Sequence, residues 1–132
     1  MNVETLSKIR LFGFAVAGLV CAGYSLAALA SNSPDPFAPW LPAVSGVAAA
    51  AIIWVSALSA GGSKADAAFD EFYRNEWRKA VGFAYWFAIL LYPIFAVLMA
   101  LGWVSSPTAF ASMGTASGAA PLLAFCFITL RS

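Results

Sequence analysis

The chain has 132 residues, of which 62% are apolar and only 10% are charged, with a formal net charge of +1. A soluble domain usually carries about 25% charged residues, so this composition argues against a water-soluble fold. The small net charge, without a dense cluster of Lys and Arg, also excludes nucleic acid as an expected partner.

Four apolar segments are each long enough to cross a bilayer as a helix. A helix needs about 20 apolar residues for this, because each residue rises about 1.5 Å against a hydrocarbon core of about 30 Å. The segments lie at about residues 11–30, 40–60, 80–104 and 108–130, and none contains Asp, Glu, Lys or Arg. They predict an all-α polytopic membrane protein, a single domain over residues 1–132, with four transmembrane helices in two hairpins.

The first segment has a competing interpretation as a cleaved signal peptide. Basic residues precede it, and Ala28-Leu29-Ala30 before Ser31 resembles an A-x-A cleavage site. The apolar stretch is longer than the h-region of a typical signal peptide, about 7–15 residues, so we expect an uncleaved helix. Cleavage would leave three spans and an amino terminus outside the cell.

The basic residues predict the orientation of the chain, because all seven fall on one side of the four spans. They are Lys8 and Arg10 before the first span, Lys64, Arg74, Arg78 and Lys79 between the second and third, and Arg131 after the fourth. The opposite loops carry one charge, Asp35. The positive-inside rule therefore predicts cytoplasmic N and C termini. Short loops and an Ala/Gly-rich composition suggest the cytoplasmic (inner) membrane of a bacterium.

The charged loop before the third span is predicted to hold an amphipathic helix over about residues 63–79. Ser63 and Asp66 match a capping box that begins it. One face is aromatic and includes Phe69, Phe72, Tyr73 and Trp77, with Glu76 and Asp66 as exceptions on the same side. Such a face is typical of a helix that lies at the headgroups or extends the third span, and the sequence leaves these two open. The alternative is a docking surface for a partner protein, with the four aromatic residues as anchors.

Small residues on the fourth span predict close helix packing. Gly114 and Gly118 form a GxxxG pattern, and Ser117 lies on the same face. Packing within the chain is our first expectation and a homodimer contact the second, because such patterns are frequent in Gly/Ala-rich spans.

Prolines inside the third and fourth spans suggest a solute site as a further hypothesis. Pro93 and Pro121 each free a backbone carbonyl, and breaks near the midplane of paired helices can mark the site of a transporter. Together with the hydroxyls of Tyr92 and Ser117 they would bind a small neutral solute. Two facts weigh against it: lone hydroxyls often bond their own helix, and the spans hold no ionisable residue, which also disfavours proton coupling.

Catalysis has the least support. Histidine is absent, no carboxylate lies inside a span, and Cys21 and Cys126 stand in separate segments, so we expect no enzyme, no metal and no cofactor. We predict a non-catalytic accessory or assembly subunit of a larger membrane complex, whose partners are the lipid bilayer and another membrane protein or a second copy. The alternative is a small homo-oligomeric transporter or channel for a small neutral solute.

Overall fold

A computed structural model describes residues 3–38, 40–63 and 70–131 of the chain. These residues include four long helices: α1 (Val3–Ser31), α2 (Leu41–Ala60), α3 (Glu71–Ala100) and α4 (Ser106–Arg131). Each of the four is long and apolar enough to cross a membrane. The prediction of an all-α chain with four such helices is confirmed.

The helices follow the spatial order α2, α1, α4, α3. Helix α1 packs against both α2 and α4, whereas α3 packs mainly against α4. Near one end, Gly13 of α1 faces Ile53 of α2, and Glu76 of α3 contacts Thr129 of α4. We call this end, where α1 and α3 begin and α2 and α4 end, the basic end. The other end holds the turns that follow α1 and α3, and we call it the turn end.

Helix α3 begins later than the predicted amphipathic helix. Asp70 has an extended backbone, and its side chain accepts a hydrogen bond of 3.1 Å from the backbone N–H of Tyr73, so it is the N-cap. From Glu71 the helix runs without a break to Ala100. A continuous helix over residues 63–79 is therefore not confirmed, because the backbone of Asp70 is extended, and residues 71–79 are the first turns of the third apolar helix. The predicted capping residue Asp66 lies outside the described residues.

A Schellman motif ends α1 at the turn end. Asn32 adopts a positive φ of 48°, its N–H donates to the carbonyl of Leu29, and the N–H of Ser33 donates to that of Ala28. The side chain of Asn32 also accepts a hydrogen bond of 3.0 Å from the backbone N–H of Ser105. The same residue therefore stops α1 and connects it to the turn before α4.

Helix α3 ends in the same motif. Gly102 has a positive φ of 76°, its N–H donates to the carbonyl of Met99, and the N–H of Trp103 donates to that of Leu98. A left-handed glycine cannot continue an α-helix. The helix therefore ends at Ala100, four residues before the predicted limit of the third span.

The seam between α1 and α4 is a close helix contact. A Cβ added at Gly18 would lie 2.8 Å from Cδ2 of Leu123 and 3.3 Å from Cβ of Leu122, so only glycine fits without a shift. Further along the seam, the buried hydroxyls of Ser25 and Ser112 lie 2.9 Å apart. Each is also within hydrogen-bond distance of the other residue's carbonyl, at 2.9 and 3.2 Å. Close backbone approach and hydroxyl bonds are what hold helices together in an apolar medium.

Helix α2 packs against α1 through one narrow stripe of buried residues. Its buried residues are Ala49, Ile53 and Ser56, which follow each other at helical spacing. The stripe faces α1, where Gly13 lies against Ala49 and Ile53. The other faces of α2, with apolar side chains such as Trp54, remain exposed.

Gly18→Leu should destabilise the bundle, because the new side chain must displace Leu122 and Leu123 from the seam. Overpacking of this kind costs about 1–3 kcal/mol. Gly23→Leu is the matched control on the same helix, since a Cβ there meets nothing within 4 Å. Thermal unfolding in detergent should show a lower midpoint for Gly18→Leu alone. Equal midpoints for the two variants would contradict the importance of this seam.

Candidate functional site

A buried polar cluster lies at the basic end, where three helices meet. It contains Arg10 from α1, Glu76 from α3 and Thr129 from α4. Arg10 is 6% exposed and Glu76 only 3%, although ionisable side chains are seldom buried to this extent. The helix ends bring the residues together, because α1 and α3 begin at the level where α4 ends.

Opposite charges and an aromatic ring stabilise Arg10 in this position. Its guanidinium carbon lies 4.2 Å from the centre of the Tyr73 ring, in cation–π geometry. Arg10 also interacts electrostatically with the carboxylates of Glu76 and Asp70. On the other side, the hydroxyl of Thr129 donates to Oε1 of Glu76 over 3.4 Å. These contacts offset the cost of removing two charged groups from water.

An aromatic cluster borders the polar one on its interior side. Its centre is Phe125, which is 0% exposed and has edge contacts with Phe14, Tyr73 and Trp77 at centroid distances of 5.3, 5.4 and 5.6 Å. Phe14 and Trp77 also lie 5.5 Å apart. The rings therefore join α1, α3 and α4 around one buried side chain.

Two of the four predicted docking residues belong to this aromatic cluster. Tyr73 and Trp77 are half-buried, and their rings contact Phe125, so less of each is available to a partner than the sequence analysis assumed. Phe69 lies outside the described residues, as does the side chain of Phe72. A docking role for this face stays a prediction.

Sequence reasoning missed the electrostatic interaction between Arg10 and Glu76. It treated Arg10 as a flanking charge that sets orientation, and Glu76 as an exception on an aromatic face. The signal was present, because a carboxylate on the buried face of a helix requires a partner charge or donor. The sequence does not show which cation supplies it, since that depends on how α1 and α3 are placed beside α4.

The predicted solute residues are brought together only in part. Tyr92 and Ser117 line the same groove of about 350 Å³ between α3 and α4, together with Gly114. Pro93 and Pro121 do not line it. The hydroxyls of Tyr92 and Ser117 form no hydrogen bond within the described part of the chain, and Tyr92 is 70% exposed.

The GxxxG pattern of α4 does not form a close helix contact among the described residues. A Cβ added at Gly114 or Gly118 would meet nothing within 4 Å, and both residues are exposed. Helix α4 instead buries other small residues, such as Ala109, Ser112 and Ala119, against its neighbours. Gly114 borders the groove between α3 and α4, but neither glycine is in close contact with another helix in the described part of the chain.

A second, larger groove runs along α4 and has a volume of about 670 Å³. Alanines of α4 form its floor, Leu26 of α1 borders it on one side, and Phe83 and Phe87 of α3 border it on the other. The hydroxyl of Ser25 also lies at this groove but is bonded to Ser112. The groove is therefore apolar along its length.

Among the described residues, no group of three or more His, Cys, Asp or Glu is placed to hold a metal ion. The polar cluster provides a fixed cation, a carboxylate and a hydroxyl, and its effect is to fasten three helices.

No protein-family model matches this sequence, and neither does any curated protein or solved structure. The function is therefore argued from the geometry alone.

Glu76→Gln should destabilise the protein strongly, because it leaves the buried charge of Arg10 without its main counter-charge. Removing one partner of a buried pair costs about 3–5 kcal/mol. The control is Glu71→Gln, an exposed carboxylate in the first turn of the same helix, which should change the stability by less than about 1 kcal/mol. Unfolding in mixed micelles measures both.

A double variant, Arg10→Met with Glu76→Gln, tests the coupling itself. It should recover part of the stability lost by Glu76→Gln, because no unbalanced charge remains buried. If the effects of Arg10→Met alone and of Glu76→Gln alone simply add in the double variant, Arg10 and Glu76 do not act as a pair.

Proposed function

We propose that this chain is a multi-pass protein of the bacterial cytoplasmic (inner) membrane with both termini in the cytoplasm. Four helices of sufficient length support insertion. So do the many large apolar side chains on the surface, among them Trp54, Trp86 and Phe110, which far exceed what a water-soluble monomer exposes. The seven basic residues on one side of the spans support the orientation.

We further propose that the protein acts as a non-catalytic accessory or assembly subunit that binds a transmembrane helix of another membrane protein. The observation that carries this is the open face of Gly114 and Gly118, whose Cα atoms have free space beside them. Lipid tails are as apolar as the side chains, so helices associate where backbones approach closely. The GxxxG face of α4, which the described residues leave uncovered, would allow the backbone of another helix to approach closely.

The smaller groove adds a polar reason for a partner at this face. Gly114 and Ser117 line it together with Tyr92 of α3. In hydrocarbon, a hydroxyl without a partner carries a desolvation cost that a bond to a neighbouring helix removes. The Gly114–Gly118 face and the two hydroxyls beside it therefore form one surface, suited to a helix that presents a small residue and a hydrogen-bond acceptor.

The aromatic face of residues 69–77 is the weaker docking hypothesis. Tyr73 and Trp77 already pack against Phe125, so their truncation would loosen the bundle as well as any partner contact. Phe69 and Phe72 can be replaced to test this face separately.

Gly114→Leu with Gly118→Leu should remove the partner, because two leucines prevent close approach to this face. The tagged protein is extracted from its native membrane in a mild detergent, and co-purifying proteins are identified and weighed by native mass spectrometry. Recovery of the partner should fall at least about tenfold, as expected for the loss of about 1.4 kcal/mol or more. Gly23→Leu and Gly46→Leu are matched controls, since a Cβ at either glycine also meets nothing within 4 Å.

The outcomes separate the alternatives. Loss of the partner with Phe69→Ala and Phe72→Ala, but not with the glycine variants, would assign docking to the aromatic face. A bare homodimer that the glycine variants dissociate would make a second copy the partner. Partner recovery that none of these changes affects would contradict both docking surfaces.

A transporter for small neutral solutes is the second candidate function. One observation favours it: Tyr92 and Ser117, predicted as part of a solute site, line one groove. A groove between two helices does not cross the membrane, so this function requires several copies around a shared path.

Flux measurements test this second candidate. Liposomes that contain the purified protein should take up glycerol or urea, and Tyr92→Phe with Ser117→Ala should slow the uptake about tenfold, because both hydroxyls facing the solute are lost. Tyr85→Phe is the control, an exposed tyrosine of the same helix that does not line the groove. Uptake no faster than in empty liposomes would contradict the transporter hypothesis.

A further inference from the structure

The larger groove on α4 has a cation at its basic end on the α3 side. Phe83 and Phe87 of α3 line the groove. Lys79 precedes Phe83 by four residues, so both lie on the same face of the helix. Lys79 is exposed, and the carboxylate of Glu76, one turn before it, is buried near Arg10 and not beside it.

A second cation stands at the same end of the groove on α4. Phe127 and Ile128 are the last groove residues of this helix, and Arg131 follows them by one turn. Its guanidinium carbon lies 5.3 Å from the centre of the Phe127 ring. Among the described residues, neither Lys79 nor Arg131 forms a salt bridge; the one between Lys8 and Glu4 lies elsewhere.

The length of the groove fits one leaflet of a bilayer. From Ala116 to Ile128 it follows α4 for thirteen residues, which span about 18 Å because each step rises about 1.5 Å. Half of a hydrocarbon core of about 30 Å is about 15 Å. Its volume of about 670 Å³ lies within the range of small-molecule sites, about 300–1,000 Å³.

We propose that this groove binds one anionic phospholipid of the cytoplasmic leaflet. An acyl chain lies along the alanines of α4, between Leu26 and the phenylalanines of α3, and the headgroup phosphate contacts Lys79 and Arg131. The charges are complementary, and the cations stand at the end of the groove where a headgroup of that leaflet would lie. The inference rests on the proposed membrane insertion and orientation but not on the proposed docking of a partner.

The test compares an anionic lipid with a neutral one on the purified, full-length protein. Phosphatidylglycerol or phosphatidylcholine with identical acyl chains is added in detergent, and native mass spectrometry counts the lipids bound. The wild type should bind one phosphatidylglycerol in preference to phosphatidylcholine. Lys79→Gln and Arg131→Gln should each weaken that binding about fivefold, as expected for the loss of one cation near a phosphate.

Arg74→Gln is the matched control. Arg74 is also an exposed cation of α3, but it precedes Phe83 by nine residues, or about two and a half turns, and so lies on the opposite face. It should leave the binding unchanged. Equal losses with Arg74→Gln and Lys79→Gln, or equal binding of the two lipids by the wild type, would overturn the proposal.

A further variant, Ala124→Phe, narrows the groove and leaves the cations in place. It should reduce the binding of both lipids, and unchanged binding would place the lipid elsewhere. Retention of every variant in alkaline-washed membranes shows that insertion is intact, so a loss of lipid binding alone bears on this site. A wild-type protein that the wash removes would overturn the membrane assignment and this inference together.

Discussion

The close contact between α1 and α4 determines where every other helix lies. At Gly18 the absence of a side chain lets α1 approach Leu122 and Leu123, and the paired hydroxyls of Ser25 and Ser112 bond across the same seam. Helix α2 packs against α1, and α3 packs mainly against α4. Both outer helices are therefore positioned through this pair, and a change in its spacing would move all of the surfaces described above.

The pattern of apolar segments predicted the number of helices and most of their limits, because length and hydrophobicity are properties of each segment alone. It did not show which face of α4 would be covered. Gly114 and Gly118 form the GxxxG pattern in the sequence, yet neither is in close contact with another helix among the described residues, because the spatial order of four helices is a property of the whole chain.

The same reasoning applies to the candidate sites. Tyr92 and Ser117 were grouped from the sequence, and they do share a groove, because both stand near the middle of adjacent spans. The electrostatic interaction between Arg10 and Glu76 joins residues that are 66 positions apart, on two helices that come together beside the end of a third. The larger groove, with cations at its basic end, also depends on residues that are far apart in the sequence, since its lining comes from α1, α3 and α4.

Asn32 combines two requirements at a single position. Its backbone adopts a left-handed conformation, which glycine and asparagine tolerate best, and its side-chain oxygen accepts the N–H of Ser105 from the other turn. Glycine would meet the first requirement and not the second, whereas glutamine would offer an acceptor on a backbone that disfavours the turn. The side chain of Asn32, with only four heavy atoms, therefore fixes the two turns relative to each other. Through these turns it also sets the position of α4 along the axis of α1.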